Sequence, residues 1–164
     1  MKGKPVSQSR TTMTEQVLPN DANTHGNILG GKVMHLMDMA GAIATFRHSR
    51  MPVVTVSVDS VRFLHPIKVG QLVLLEASVT RAFTTSMEVE VQVFSEDPLS
   101  GKRMKTSTAF LTFVALDKDG RPAKIPPLIA ETEEEKSRYR AALRRRRRRL
   151  REAKKTGNEA LKGV

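Results

Sequence analysis

The chain has 164 residues, of which 39% are hydrophobic and 27% are charged, and its formal net charge is +11. This length fits one domain with its own core. The longest stretch without an acidic or basic residue, residues 106–116, is far shorter than the about 20 apolar residues that cross a bilayer. The segment near Met1 is polar, and the chain has no cysteine, so we expect neither a secretory signal nor disulfides, thiolate nucleophiles or cysteine-based zinc sites. The composition predicts a small cytoplasmic protein.

The first half of the chain predicts one long helix after a loop. Residues 1–10 are polar and are expected to form a disordered lead, and 11–18 predict a first, weakly marked strand. Residues 19–31 are rich in Asn, Asp and Gly, which is typical of a loop. Apolar residues at helical spacing then predict a helix over 30–48, which ends before Pro52.

After Pro52 the hydrophobic period changes to two, which predicts strands. Val54, Val56 and Val58 alternate with polar residues, and a slip in the pattern is expected near Ser60. Three further strands are predicted over 72–82, 86–95 and 104–116. Strands that follow one another through short turns favour an antiparallel sheet. The expected fold class is therefore α+β, with an antiparallel sheet wrapped around a single long helix.

The positive charge is concentrated near the end of the chain. Residues 131–164 contain 13 Lys and Arg against six Asp and Glu, a net charge of +7, and much of this lies in the run 144–149. We predict a domain over 11–130 followed by a basic, helical tail over 131–164. A solvated helix face explains such a run, and an RNA or phosphate contact is the sharper alternative. Since no aromatic residue interrupts the run, base stacking is not supported.

Asp38 is the one charged residue between Val33 and Phe46, in the middle of the predicted helix. Aspartate is a poor residue for a helix interior. Burial of an unpartnered polar group costs about 2 to 7 kcal/mol, and burial of an ionised carboxylate costs more. Such an acid is a candidate base or nucleophile. A structural acid that faces solvent or a subunit interface, or that accepts a backbone hydrogen bond, remains open.

The loop before the helix supplies a second part of a candidate site. Gly30 and Gly31 place backbone N–H groups at the helix start, where an oxyanion is stabilised. A tight turn or close packing explains the same glycines. Asn27 precedes Asp38 by 11 residues, which is about 16 Å along a helix. We therefore expect Asn27 of one chain to meet Asp38 of a partner across a two-fold axis.

The segments HGNILGG, LMDMAGAIATFRH and VTVSVDSVRFLHPI together resemble the hotdog-fold acyl-CoA thioesterases, in particular the brain-type cytosolic acyl-CoA hydrolases and their short bacterial relatives. The resemblance extends over about residues 11–139 and excludes the arginine run. It implies hydrolysis of acyl-CoA to a free fatty acid and CoA without a metal or other cofactor. It also implies a double-hotdog dimer, often assembled as a trimer of dimers.

The resemblance gives each candidate residue an expected role. Asp38 activates water or attacks the thioester itself, Asn27 orients the water or the carbonyl, and the N–H groups near Gly30 and Gly31 receive the oxyanion. Polar and basic residues are expected to bind the CoA portion. The candidates are Arg62, Thr84, Ser86 and Lys105.

Two other functions remain open at the level of sequence. One is a non-catalytic module that binds or senses acyl-CoA on the same fold. The other is a nucleic-acid-associated protein that acts through the run 144–149, although nucleic acid is not the expected partner. The histidines show no metal-ligand spacing, so no metal site is predicted.

Overall fold

A computed structural model describes residues 1–59 and 61–155. Within these residues the chain forms two α-helices, α1 (Gly30–Ser49) and α2 (Glu133–Lys155). Short 3₁₀ turns lie at Val6–Ser9 and Pro19–Asp21. The strands are β1 (Lys4–Pro5), β2 (Thr11–Gln16), β3 (Val53–Val58), β4 (Arg62–Phe63), β5 (Leu72–Ala82), β6 (Ser86–Glu96), β7 (Arg103–Ala115) and β8 (Leu128–Ile129). The predicted α+β class is confirmed.

Six strands form one antiparallel sheet in the order β2-β5-β6-β7-β3, and β4 pairs with β7 beside β3. Strands β5, β6 and β7 follow one another through short turns, as predicted. Strand β3 is different, because it pairs with β7 and not with the next long strand, β5. The predicted slip near Ser60 lies outside the described residues, and the register shift in β3 falls between Thr55 and Ser57. Strand β3 thus forms an edge of the sheet.

The two helices cover opposite faces of this sheet. Side chains alternate between the faces of a strand, and one set meets α1 in the core, where Leu36 and Met37 pack against strand residues such as Val91 and Phe113. The other set lies under α2 and includes Glu88 and Phe110. Arg50 follows the last residue of α1 and caps the helix with a left-handed backbone, φ of 59°. The sheet therefore surrounds α1 and carries α2 on its outside.

Gly41 is the point of closest approach between α1 and the sheet. A Cβ atom at this position would lie 2.9 Å from Cε2 of Phe113, a ring that is almost fully buried. We expect Gly41→Ala to lower the free energy of unfolding by about 1–3 kcal/mol, because the ring has no room to move. Gly31→Ala is the matched control, since its Cβ would meet no atom within 4 Å, and it should be neutral or stabilising by up to about 1 kcal/mol. Urea unfolding measures both, and equal values would contradict the packing.

The prediction of a disordered lead over residues 1–10 is wrong. Strand β1 pairs in parallel with β8, and the turn that follows it buries Val6 and Ser9. The hydroxyl of Ser9 accepts a hydrogen bond of 3.0 Å from the backbone N–H of Val79 and donates one of 2.8 Å to the carbonyl of Val6. The polar composition of residues 1–10 did not indicate this order, because it depends on two residues only. Val6 is the apolar side chain that is buried, and the buried hydroxyl of Ser9 has both of its hydrogen bonds.

The C-terminal helix predicted within 131–164 is confirmed as α2, which packs against the outer face of the sheet. Helix α2 begins with a capping box, in which the hydroxyl of Thr132 accepts from the N–H of Glu135 at 3.1 Å and the Glu135 carboxylate accepts from the N–H of Thr132 at 3.2 Å. Ala142, Arg149 and Ala153 are buried beneath the helix. Residues 156–164 lie outside the described residues. Neither described helix is long and apolar enough to cross a membrane.

Candidate active site

Asp38 lies in the middle of α1, where its half-buried carboxylate has a defined partner. Its Oδ1 accepts a hydrogen bond of 2.6 Å from the hydroxyl of Thr55 on β3. Thr55 is directed towards α1 because it pairs with Phe113, whose side chain is in the core. Thr55 does not stand out in the sequence as a candidate site residue. It was visible only as the polar member of an alternating strand, and alternation alone does not show which face a helix will cover.

The Asp38–Thr55 pair opens onto an exposed, mostly apolar surface of the chain. On α1 this surface includes Met34 and Met39, which are 44% and 39% exposed, and on the edge strand β3 it includes Val58, which is 45% exposed. An exposed strip of large apolar side chains indicates a contact with another molecule. The unpaired edge of β3 on the same side of the molecule points to the same conclusion.

A cavity of about 320 Å³ lies at the N-terminal end of α1. Its wall combines apolar side chains with a few polar groups, which is the usual character of a ligand pocket. The lining residues are Asn23, Asn27, Ile28, Gly30, Val33, Phe63, Leu64, His65, Pro66, Ile67 and Ser107. The predicted loop residue Asn27 and the predicted helix-start residue Gly30 therefore share one cavity.

Asn23 closes the loop that carries Asn27. Its side-chain oxygen accepts hydrogen bonds from the N–H groups of His25 at 3.0 Å and Asn27 at 3.2 Å, and its own N–H donates to the carbonyl of Asn27 at 2.8 Å. Asn27 also pairs with Lys68 in an isolated bridge. These bonds fix the conformation of the loop that carries Asn23 and Asn27 just before the start of α1.

Gly30 and Gly31 are the first two residues of α1. The first N–H groups of a helix have no intrahelical acceptor, and they carry the positive end of the helix dipole. Lys32, the next residue, lies 3.3 Å from the carboxylate of Glu15 and 3.5 Å from that of Asp21. The hydrogen bond to Glu15 raises the pKa of Lys32 above its ordinary value.

Asp38 is not among the residues that line the cavity. It follows Gly30 by eight residues, which corresponds to about 12 Å along α1. The structure of one chain therefore places Asn27 and the glycine N–H groups at one end of the helix and the carboxylate in its middle. This separation agrees with the expectation that the two parts come from different chains.

The four candidates for CoA binding fall into two groups. Arg62 on β4 and Lys105 on β7 are exposed and lie towards the same end of the sheet. Thr84 and Ser86 lie at the β5–β6 turn, and Ser86 is only 2% exposed. Ser86 pairs with Val114, which is nine residues along β7 from Lys105, or about 30 Å. One chain therefore does not bring all four together around one ligand.

The histidines occupy unrelated positions. His65 lines the cavity, whereas the ring of His48 is buried with its Nε2 2.8 Å from the carbonyl oxygen of Pro126. Burial lowers the pKa of His48. Among residues 1–59 and 61–155, no three His, Asp or Glu side chains are grouped as metal ligands would be.

A curled antiparallel sheet around one central helix, with an acid in that helix and a cavity at its start, defines the class of hotdog-fold proteins. The chain belongs to the thioesterase superfamily, whose family model matches residues 25–102. The resemblance described from the sequence motifs is thereby confirmed.

Individual relatives match over most of the chain. The uncharacterized acyl-CoA thioester hydrolase YkhA of Bacillus subtilis is 43% identical over 87% of this chain and 83% of its own length. An acyl-CoA hydrolase from Bacillus cereus superposes with a TM-score of 0.88 at 43% identity and covers 98% of both chains. The cytosolic acyl coenzyme A thioester hydrolase of Rattus norvegicus is 38% identical over 82% of this chain, which spans only 36% of that longer protein.

An acyl-CoA hydrolase from Staphylococcus aureus has been crystallised with butyryl-CoA and CoA. It superposes with a TM-score of 0.86 at 40% identity, covering 93% of this chain and 95% of its own. Alanine variants of one aspartate, one threonine and one asparagine of the Staphylococcus enzyme have also been crystallised.

Proposed function

We propose that this protein is an acyl-CoA thioesterase that hydrolyses the thioester of fatty acyl-CoA to a free fatty acid and CoA. The observation that carries the proposal is the hydrogen bond between Asp38 and Thr55 on the exposed side of the central helix. A carboxylate oriented by a hydroxyl is suited to general-base or nucleophilic work. Relatives that share most of this chain's length carry the name of the same activity.

In the proposed reaction Asp38 takes a proton from water while the water oxygen attacks the thioester carbonyl carbon. The N–H groups of Gly30 and Gly31 in the partner chain stabilise the oxyanion of the tetrahedral intermediate. The intermediate collapses, the carbon–sulfur bond breaks, and the proton held by Asp38 passes to the departing CoA thiolate. Direct attack by the carboxylate would give an acyl-anhydride intermediate that water then opens, and the proposed site serves either route.

The spacing of residues favours Asn23 as the amide that works with Asp38. In the Staphylococcus enzyme the substituted asparagine lies 15 residues before the substituted aspartate, and the threonine lies 17 residues after it. Asn23, Asp38 and Thr55 have the same two separations here. Asn27, the residue expected from the sequence, lines the same cavity. We infer that Asn23 has the main role and that Asn27 shapes the loop around it.

The proposed active unit is a homodimer, because the loop and Asp38 lie about 12 Å apart along one helix. The exposed strip on α1 and the free edge of β3 supply a symmetric contact surface. Similar thioesterases crystallise as hexamers, which agrees with a trimer of dimers. We place the protein in the cytoplasm, like its cytosolic mammalian relatives, and the proposed chemistry needs water and no metal or other cofactor.

The test is CoA release from a panel that runs from acetyl-CoA to palmitoyl-CoA, with wild type, Asn23→Ala and Asn27→Ala side by side. We expect hydrolysis with a preferred acyl-chain length. Asn23→Ala should decrease kcat by about 10²-fold, because removal of one hydrogen-bond donor from an active site typically lowers kcat by about that factor. Asn27→Ala should lose less than about tenfold. A larger loss for Asn27→Ala would return the main role to that residue.

No hydrolysis of any thioester by the folded wild-type protein, together with tight acyl-CoA binding, would instead indicate a binding module.

A further inference from the structure

The arginine run 144–149 is divided by the geometry of α2. Arg145 and Arg149 stand one helical turn apart on the side that faces the sheet, and Arg149 is only 8% exposed. Arg144, Arg147 and Arg148 point to solvent. The run is therefore not one uniform basic surface, because Arg145 and Arg149 face the sheet and not solvent.

The inward arginines bind a fully buried carboxylate. Glu88 on β6 has no exposed surface, and its Oε1 lies 2.6 Å from Nη2 of Arg145 and accepts a 2.8 Å hydrogen bond from the hydroxyl of Thr80. The Arg145 guanidinium also lies 3.6 Å from the centre of the Phe110 ring. These contacts satisfy Glu88 with Arg145 alone, so a second arginine is not required to neutralise it.

Arg149 connects this cluster to a different element. Its Nη1 lies 2.8 Å from Oδ2 of Asp59 and 3.4 Å from Oε2 of Glu88. The Asp59 side chain is 6% exposed, so the ion pair is shielded from solvent. Asp59 comes directly after β3, and its N–H donates to the carbonyl of Phe110 at 2.8 Å. Arg149 therefore fastens the chain just beyond β3 to α2.

The segment fastened in this way leads into the cavity wall. Phe63 follows Asp59 by four residues, and residues 63–67 all line the cavity. Strand β4, within this stretch, has only two residues, and the N–H of Leu64 donates to the carbonyl of Thr106 at 2.8 Å. The pairing of β4 with β7 and the hydrogen bond from the N–H of Ile28 to the carbonyl of Ile67 hold the later part of this stretch. The shielded ion pair of Asp59 fixes the point at which the stretch leaves β3.

We propose that Arg149 is a positioning residue, which fixes the cavity wall 63–67 through its ion pair with Asp59 and thereby sets the affinity for acyl-CoA. The inference rests on the proposed function, since it takes this cavity as the place where substrate binds. Asp38 and Thr55 are held by α1 and by the β3–β7 ladder, and Asn23 is held by the hydrogen bonds within its own loop. Loss of the ion pair therefore weakens substrate binding and leaves the chemical step in place.

The experiment compares Arg149→Met with Arg148→Met. Arg148 is the matched control, because it is exposed and its nearest carboxylate contact, to Glu152, is 3.8 Å long. We expect Arg149→Met to raise KM by about tenfold with kcat within about twofold, because displaced binding contacts act on substrate affinity. The Kd of a non-hydrolysable thioether analogue of acyl-CoA should rise by the same factor. Arg148→Met should match wild type, and Arg149→Lys should recover part of the affinity, since it keeps the charge without the fork geometry.

Asp59→Asn provides a second route to the same test. It breaks the ion pair from the other side and leaves Arg149 beside Glu88, so it remains informative if Arg149→Met fails to fold. The proposal predicts the same rise in KM and Kd, and a double variant no worse than either single one. Unchanged KM and Kd, or a loss of kcat alone from fewer folded molecules, would overturn it. If the wild-type protein hydrolyses no thioester, the proposed function fails, while the Kd comparison still decides the role of Arg149.

Discussion

Asp38→Ala is expected to lower kcat by about 10³-fold or more, because it removes the group that we propose accepts the proton of the attacking water. Asp38→Asn should lose a similar factor, although the amide keeps the shape of the side chain and its hydrogen-bond distance to Thr55. Steady-state CoA release at saturating acyl-CoA measures both. Asp38→Asn removes the charge and keeps the shape of the side chain, whereas Asp38→Ala removes both, so the comparison separates the effect of the charge on kcat from the effect of packing.

Two further variants control this result. Thr55→Val removes the 2.6 Å hydrogen bond to Asp38 and should cost about tenfold in kcat, because it orients the carboxylate and takes no proton. Asp119→Asn, at an exposed turn far along the chain, should leave kcat unchanged. The midpoint of thermal unfolding is measured for each variant and for wild type, to show that each variant is folded. Turnover by Asp38→Asn at half the wild-type rate or more would show that this carboxylate is not the base or the nucleophile.

Glu88→Met is expected to be the most destabilising substitution outside the hydrophobic core. The carboxylate is fully buried and within 3.4 Å of both Arg145 and Arg149. Its removal leaves Arg145 without its carboxylate in a largely buried position, and breaking such a pair typically costs about 3–5 kcal/mol. We expect a decrease of that size in the free energy of unfolding, measured in urea at fixed protein concentration because association contributes to stability.

The double variant Glu88→Met, Arg145→Met tests the cause of this loss. It removes both charges and leaves the Arg149–Asp59 pair intact, so it should be less destabilised than Glu88→Met alone. Glu133→Gln is the surface control, because the Glu133 side chain is 82% exposed in its pair with Lys136 and should leave the free energy of unfolding unchanged. A double variant less stable than the single one would mean that packing, not an unpaired charge, dominates at this site.

The central part of the fold was predictable because its signals are local. Helix α1 (Gly30–Ser49) ends within one residue of the predicted 30–48, and β5 (Leu72–Ala82) has the predicted limits. Helical and alternating periods depend only on neighbours in the chain, and Pro52 and the turn residues mark their limits. Asp38 was identifiable for the same reason, since one acid in an apolar helix is a local anomaly.

The chemistry of the candidate site was only partly predictable. The sequence singled out Asp38 and the glycines of the helix start, and the family resemblance gave them roles. It did not indicate Thr55, because the partner of Asp38 stands 17 residues away on an edge strand. Nor did it single out Asn23 within a loop that also contains Asn27, since the two amides have the same chemistry.

Local patterns in the sequence were enough to predict the number and limits of the main elements, the α+β class and the position of the central acid. Three features became known only from the folded chain: the ordered first residues, the pairing of β3 with β7, and the division of the arginine run between solvent and the sheet. Arg149 and Asp59 are 90 residues apart, and local periodicity carries no information at that range. Such contacts depend on sheet order and on which face each helix covers, and these are fixed only when the whole core packs together.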